Sequence, residues 1–122
     1  MDAPSETFRV GRDAPDPTTD AGRAMFASLF DEQPDPLALR TFPVALPAGT
    51  HLTTHRHTTG LAACITRGRI VFVFGADGTD RIDLETGDYV WIREGVMHDE
   101  ETHDEAVEMI VASLEPFDTL ED

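Results

Sequence analysis

The sequence predicts an all-β barrel or sandwich preceded by one short helix. Two observations carry the β assignment. From Leu37 onward the apolar residues fall in short β-branched and aromatic runs, such as "LAACIT", "RIVFVF" and "YVWI". Glycine-centred turn signals separate these runs at regular intervals, which is the pattern of sandwiches and closed barrels. The third observation concerns the segment before them. In "TTDAGRAMFASLFDE", Met25/Leu29 and Phe26/Phe30 stand at i,i+4, the spacing of one helix face.

Residues 1–20 are rich in Asp, Pro and Thr and read as a mobile arm or as an extended segment tied to a neighbour. Asp20 or Thr19 can cap the helix, and "QPDPL" breaks it. "LALRTFPVAL" is strand-like, with Pro43 marking an edge or a bulge. "PAG" turns the chain into "THLTTHRH", which reads as a strand. "LAACIT" and "RIVFVF" follow on either side of a tight Arg-Gly turn, and "GADG" signals a hairpin into "DRIDLE". "TGD" leads into "YVWI". "REGVMHDEETHDEA" reads as a loop with strand ends, and "VEMIVASLEPF" as a last strand. The tail "DTLED" is short and acidic and is expected to fray. The expected division is an arm and helix over 1–36, a barrel over 37–116 and a tail over 117–122.

Composition narrows the function classes. A chain of 122 residues with 40% hydrophobic content suits one globular domain with its own core. A lone cysteine, Cys64, excludes an internal disulfide and a Cys-rich zinc module, and reads as a small core thiol. No apolar run is long enough for a transmembrane helix, and residues 1–20 lack the apolar core of a signal peptide. The expectation is a cytoplasmic protein. The net charge is −15, from 24 acidic and nine basic residues, and all nine basic residues are arginine. Such a surface repels phosphate backbones and anionic membranes, so neither nucleic acid nor membrane is an expected partner. The acidity fits a salty cytoplasm or a GC-rich genome, or else a docking face for a cationic partner.

Three of the five histidines crowd into "HLTTHRH". Side chains alternate along a strand, so His55 and His57 project together, roughly 7 Å apart at Cα. Neutral imidazole suits Fe(II), Cu, Ni, Zn and similar metals. His51 has the same parity but lies about 13 Å from His55 on a straight strand. It is assigned to the rim of the barrel rather than to the ion.

The glycine spacing strengthens the signal. Gly49, His55, His57 and Gly68 form one block, and Gly87, Gly95 and His98 a second. These blocks resemble the two signature motifs of the cupin superfamily, G-x5-H-x-H-x(3,4)-E-x6-G and G-x5-P-x-G-x2-H-x3-N. The resemblance covers about residues 38–114. It implies a cupin-type double-stranded β-helix, or jelly-roll, barrel holding one divalent metal ion (Fe, Ni, Zn, Mn or Cu) on His55, His57 and His98. It also implies a homodimer and a small-molecule ligand or substrate. Three positions depart from the motifs. Arg93 replaces the Pro and Thr102 the Asn, both in loop-shaping roles. Leu61 or Ala62 stands where the motif has its Glu, and neither side chain can bind a metal.

A three-histidine site without the carboxylate keeps a net charge near +2 and leaves more open positions for substrate. Thiol dioxygenases and a β-diketone-cleaving type within the resembled group use three histidines with ferrous iron. The function expected from this is metal-dependent dioxygenase-type chemistry on a small molecule, or lyase or isomerase chemistry. The alternative is a non-catalytic metal or ligand sensor acting through protein contacts, with the helix around Met25–Phe30 as its contacting element. A metal-free barrel is the third reading. His51, Leu61, Tyr89, Trp91 and Met97 are the candidate pocket residues. Asp99 and Glu100 read as a solvated acidic loop, with a role in orienting an imidazole as the alternative. His103 reads as exposed, and Arg67 as a surface residue of the turn.

Overall fold

The computed structural model describes residues 7–74, 80–114 and 118–120. The turn "GADG" lies outside the described residues. The elements run β1 (Phe8–Gly11), α1 (Asp20–Ala27), β2 (Arg40–Leu46), β3 (Arg56–His57), β4 (Leu61–Arg67), β5 (Arg69–Phe74), β6 (Asp80–Glu85), β7 (Tyr89–Ile92), β8 (His98–Thr102), β9 (Val107–Ser113) and β10 (Thr119–Leu120). A five-stranded sheet has the order β1-β7-β4-β9-β2, and a three-stranded sheet the order β6-β5-β8. β3 pairs with β10 as a third, two-stranded piece, and every pairing is antiparallel.

Alternation along the strands builds two apolar layers. Leu61, Ala63 and Ile65 of β4, Val90 and Ile92 of β7, and Met109 and Val111 of β9 point between the sheets. There they meet Ile70, Phe72 and Phe74 of β5. The opposite parity of the same strands, Ala62, Cys64, Trp91 and Ala112, faces outward and is covered by α1. Thr19 caps α1, its hydroxyl accepting from the Gly22 N–H at 3.0 Å. Phe26 and Phe30 carry no exposed surface. Phe26 meets Tyr89 edge-on at 5.4 Å between ring centroids, and Phe30 meets Trp91 at 6.4 Å. The helix therefore spends its apolar face on its own sheet.

Pro43 sits on β2, an outer strand of its sheet, where a missing N–H breaks no ladder. The Arg-Gly turn needs its glycine. Gly68 has φ of +89°, and a Cβ there would lie 2.6 Å from the Ala106 carbonyl oxygen.

Three expectations differ from the structure. "THLTTHRH" is not one strand: only Arg56–His57 is regular, with isolated bridges from His51 to Glu101 and from His55 to His98. The stretch read as a loop contains the full strand β8, paired with β5 along its whole length. Its three successive acidic residues, Asp99, Glu100 and Glu101, disguised it, because they are poor strand formers in isolation. Thr119 and Leu120 do not fray but pair with His57 and Arg56. Phe8–Gly11 likewise pairs with β7, the tied form of the arm.

Truncating Phe30 removes a fully buried ring from the layer under α1. Phe30→Ala is expected to lower unfolding free energy by about 3–5 kcal/mol. Urea unfolding checks this, and a loss below about 1 kcal/mol would contradict the packing of Phe30, just after α1, on Trp91.

Candidate metal centre

β8 aims His98, Glu100 and Thr102 into the protein, all three buried, while Asp99 and Glu101 face outward. Residues 49–55 run along β8 and are zipped to it. His55 and His98 exchange both backbone hydrogen bonds, each at 2.8 Å. The Leu52 N–H donates to the Glu100 carbonyl at 3.0 Å, and the Gly49 N–H to that of His103 at 2.8 Å. Thr102 secures the turn below. Its hydroxyl donates to the Pro47 carbonyl at 2.7 Å and accepts from the Thr50 N–H at 2.8 Å. This is the loop-shaping role expected at that position.

The bridge sets the His55 and His98 imidazoles side by side, with centroids 4.5 Å apart. His57 completes the group at 5.0 Å from His55 and 5.2 Å from His98. One ring nitrogen of each histidine lies within 4.8 Å of those of the other two, and all three residues are buried.

The tautomers of two rings follow from their partners. His55 Nδ1 is 2.6 Å from the Thr53 carbonyl oxygen, and His98 Nδ1 is 3.0 Å from that of Val96. A carbonyl oxygen can only accept, so both Nδ1 atoms donate. In the neutral rings both Nε2 atoms then turn a bare lone pair inward, the form in which imidazole binds a metal. His57 Nδ1 is held by the Thr119 hydroxyl at 3.1 Å. Burial above all, with smaller contributions from the neighbouring His98 and His55 imidazoles, pushes His57 down from 6.5 to about 4, against the opposing pull of Glu100 and a backbone hydrogen bond with Asp118.

Glu100 closes the site. Its Oε2 lies 3.4 Å from His55 Nε2 and its Oε1 lies 3.5 Å from His98 Nε2. These distances exceed those of a charge-assisted hydrogen bond. His98 Nε2 and Glu100 Oε2 are buried and make no hydrogen bond among the described residues. Lone pairs facing a carboxylate need a cation between them, so these residues fit a bound metal ion.

An apolar cavity of about 290 Å³ opens on the site, walled by Leu61, Phe72, Met109 and Val111 among others and reached by His55, His57 and Glu100. Leu61 lines it. His51 does not: it is exposed and lies outside, 3.6 Å from Asp99. Tyr89 and Trp91 are corrected too. They occupy the outward parity of β7, under α1, where Arg9 and Arg93 lie over the indole at 4.6 and 5.3 Å. Both parities of β7 are largely buried, so burial alone could not assign the inward one. Met97 is half-buried and precedes His98 with the opposite parity, away from the cavity walls.

Arg93 pairs with Asp31 at 2.8 Å and holds that carboxyl below its usual range. Arg67 is exposed and faces Glu108 at 3.6 Å, and His103 is exposed. Cys64 packs in the outward layer, and burial, with a smaller push from Asp16, raises its thiol to about 12.

Comparison with solved structures supplies the fold. The chain aligns with the DMSP lyase DddQ from Ruegeria pomeroyi at a TM-score of 0.62 and 24% identity, over 68% of this chain and 42% of the lyase. It aligns with a cupin 2 domain-containing protein from Halorhodospira halophila at 0.60 and 19%, over 68% and 57%. A cupin-like protein from Thermotoga maritima aligns at 0.59 and 24%, over 70% and 66%. The chain has the cupin fold. It thus spans less than half of the lyase and under two thirds of the Halorhodospira cupin domain protein. No protein-family model and no curated protein matches the sequence.

Within this cupin fold, two contributors escaped the sequence reading. Glu100 stands two residues after His98, the same one-face spacing as His55 and His57, but that signal is usable only once 98–102 is known to be a strand. Thr119 carried no signal in the sequence of the tail.

Because His57 binds protons more weakly folded than unfolded, the metal-free protein gains stability with rising pH from about 4 to 6.5 and holds it above. The urea midpoint, followed in chelator over this window, is expected to climb more steeply for the natural protein than for His57→Gln. Equal slopes would contradict the assignment.

Proposed function

We propose that the chain binds one divalent metal ion through His55, His57 and His98 and uses it in dioxygenase-type or related metal-dependent chemistry on a small molecule. The observation that carries this is the pair of carbonyl-locked imidazoles whose Nε2 lone pairs converge in a buried site. Among the solved structures that align with it are a DMSP lyase, a salicylate 1,2-dioxygenase and a polyketide cyclase, which supports small-molecule chemistry for this fold. The bound ion would supply Lewis acidity and open coordination positions. The protein's own contribution is positional. The carbonyls of Thr53 and Val96 hold two rings, Thr119 holds the third, and the apolar walls keep bulk water from the open side.

The cavity also bears on the substrate class. At about 290 Å³ it lies at the small end of ligand pockets. Its walls are predominantly aliphatic and aromatic, and among the described residues Glu100 is the one acidic side chain lining it. A compact, largely apolar molecule with a single polar head directed at the metal fits these walls. A polyanionic substrate does not.

Metal analysis of untagged protein tests the proposal. One equivalent of a divalent metal per chain is expected. The double substitution His55→Ala/His98→Ala is expected to lower affinity at least a hundredfold while the fold, checked by circular dichroism, persists. Natural protein that takes up no Fe, Mn, Co, Ni, Cu or Zn on loading would overturn it.

A further inference from the structure

We propose that Glu100 is a fourth ligand of the metal, restoring from β8 the carboxylate that the β4 face lacks. This rests on the metal-binding reading above. Leu61 and Ala62 offer no donor, and Leu61 instead forms part of the cavity wall. Glu100 reaches the same centre from the other sheet. It shares the inward face of β8 with His98, and the backbone pairing of His98 with His55 brings both imidazoles to its carboxylate.

Three features indicate coordination rather than an ordinary ion pair. The first is spacing. The two carboxylate oxygens stand 3.4 and 3.5 Å from the two Nε2 atoms, longer than a charge-assisted hydrogen bond and near enough for one ion to be shared between them. The second is polarity. With Nδ1 donating to a carbonyl in both rings, neutral His55 and His98 offer no proton toward Glu100. Oxygen and nitrogen then face each other as acceptors, and Oε2 makes no hydrogen bond among the described residues. The third is burial. Glu100 is 8% exposed, and the chain contains no lysine. Arg93, Arg69, Arg81 and Arg67 face Asp31, Asp83, Glu101 and Glu108. A carboxylate so enclosed needs a cation, and the position between it and the imidazoles satisfies both.

A carboxylate ligand lowers the net charge of the site from +2 to +1. It leaves the Leu61 side as an apolar wall for the substrate, so the site gains the charge without losing the cavity.

Titration of metal-free protein with Co(II), followed by calorimetry and by visible absorption, tests this on natural protein, Glu100→Gln and Glu100→Leu. The expected result is one Co(II) per natural chain, at least tenfold weaker binding in both folded variants, and shifted d–d bands in Glu100→Gln. Infrared difference spectra of the natural protein, recorded as Zn(II) binds, are expected to show displaced carboxylate stretches. This measurement serves even where a variant fails to fold. Folded variants with natural affinity and spectrum would overturn the Glu100 assignment and leave the three-histidine reading intact. So would Zn(II) binding without a carboxylate change. Natural protein that binds neither ion would overturn both.

Discussion

The site depends on one backbone contact, the reciprocal hydrogen-bond pair between His55 and His98. It is a single antiparallel bridge in a stretch that forms no regular strand. Yet it fixes the relative placement of two imidazoles from segments more than forty residues apart, and it directs Glu100 to the same centre. Side-chain bonds then lock what the backbone has placed. Each of the two rings donates to the carbonyl two residues before it, so ring orientation is set within the segment that carries the ring. The geometry is thereby organised before any ligand arrives, and little rearrangement remains to oppose binding.

Around this contact the sheets divide their labour by parity. One face of β4, β7 and β9 forms the interior and the cavity wall. The other takes the helix. The strands that carry the cavity are thus clamped from both sides. The helix looks like an appendage in sequence but is a structural lid on the outward layer. The Arg93–Asp31 pair joins the loop before β8 to the segment after α1, tying that layer to the strand that bears the acidic ligand candidate.

The general plan was legible in the sequence because it rests on local patterns. Alternation and turn glycines announced strands, the apolar spacing from Met25 and Phe26 announced a helix, which ends at Ala27 before Leu29 and Phe30, and paired glycine–histidine blocks pointed to the candidate site. What escaped was whatever depended on non-local pairing. Asp99, Glu100 and Glu101 look like solvated loop residues until β5 is found alongside them, with its bulky apolar side chains. Only then does alternate parity send Glu100 inward. Tyr89 and Trp91 failed for the complementary reason, since both faces of β7 are covered and hydrophobicity there does not indicate direction. The first histidine block has no carboxylate at Leu61 or Ala62, whereas Glu100 stands on β8 beside His98.

The pairing of Thr119 and Leu120 with β3 sets the third imidazole apart from the other two. The hydroxyl beside His57 Nδ1 comes from a residue 62 positions later in the sequence. The His55 and His98 rings instead answer to carbonyls two residues before them. A disturbance of the short β10 pairing therefore reaches His57 first, and the remaining two rings keep supports that belong to their own segments.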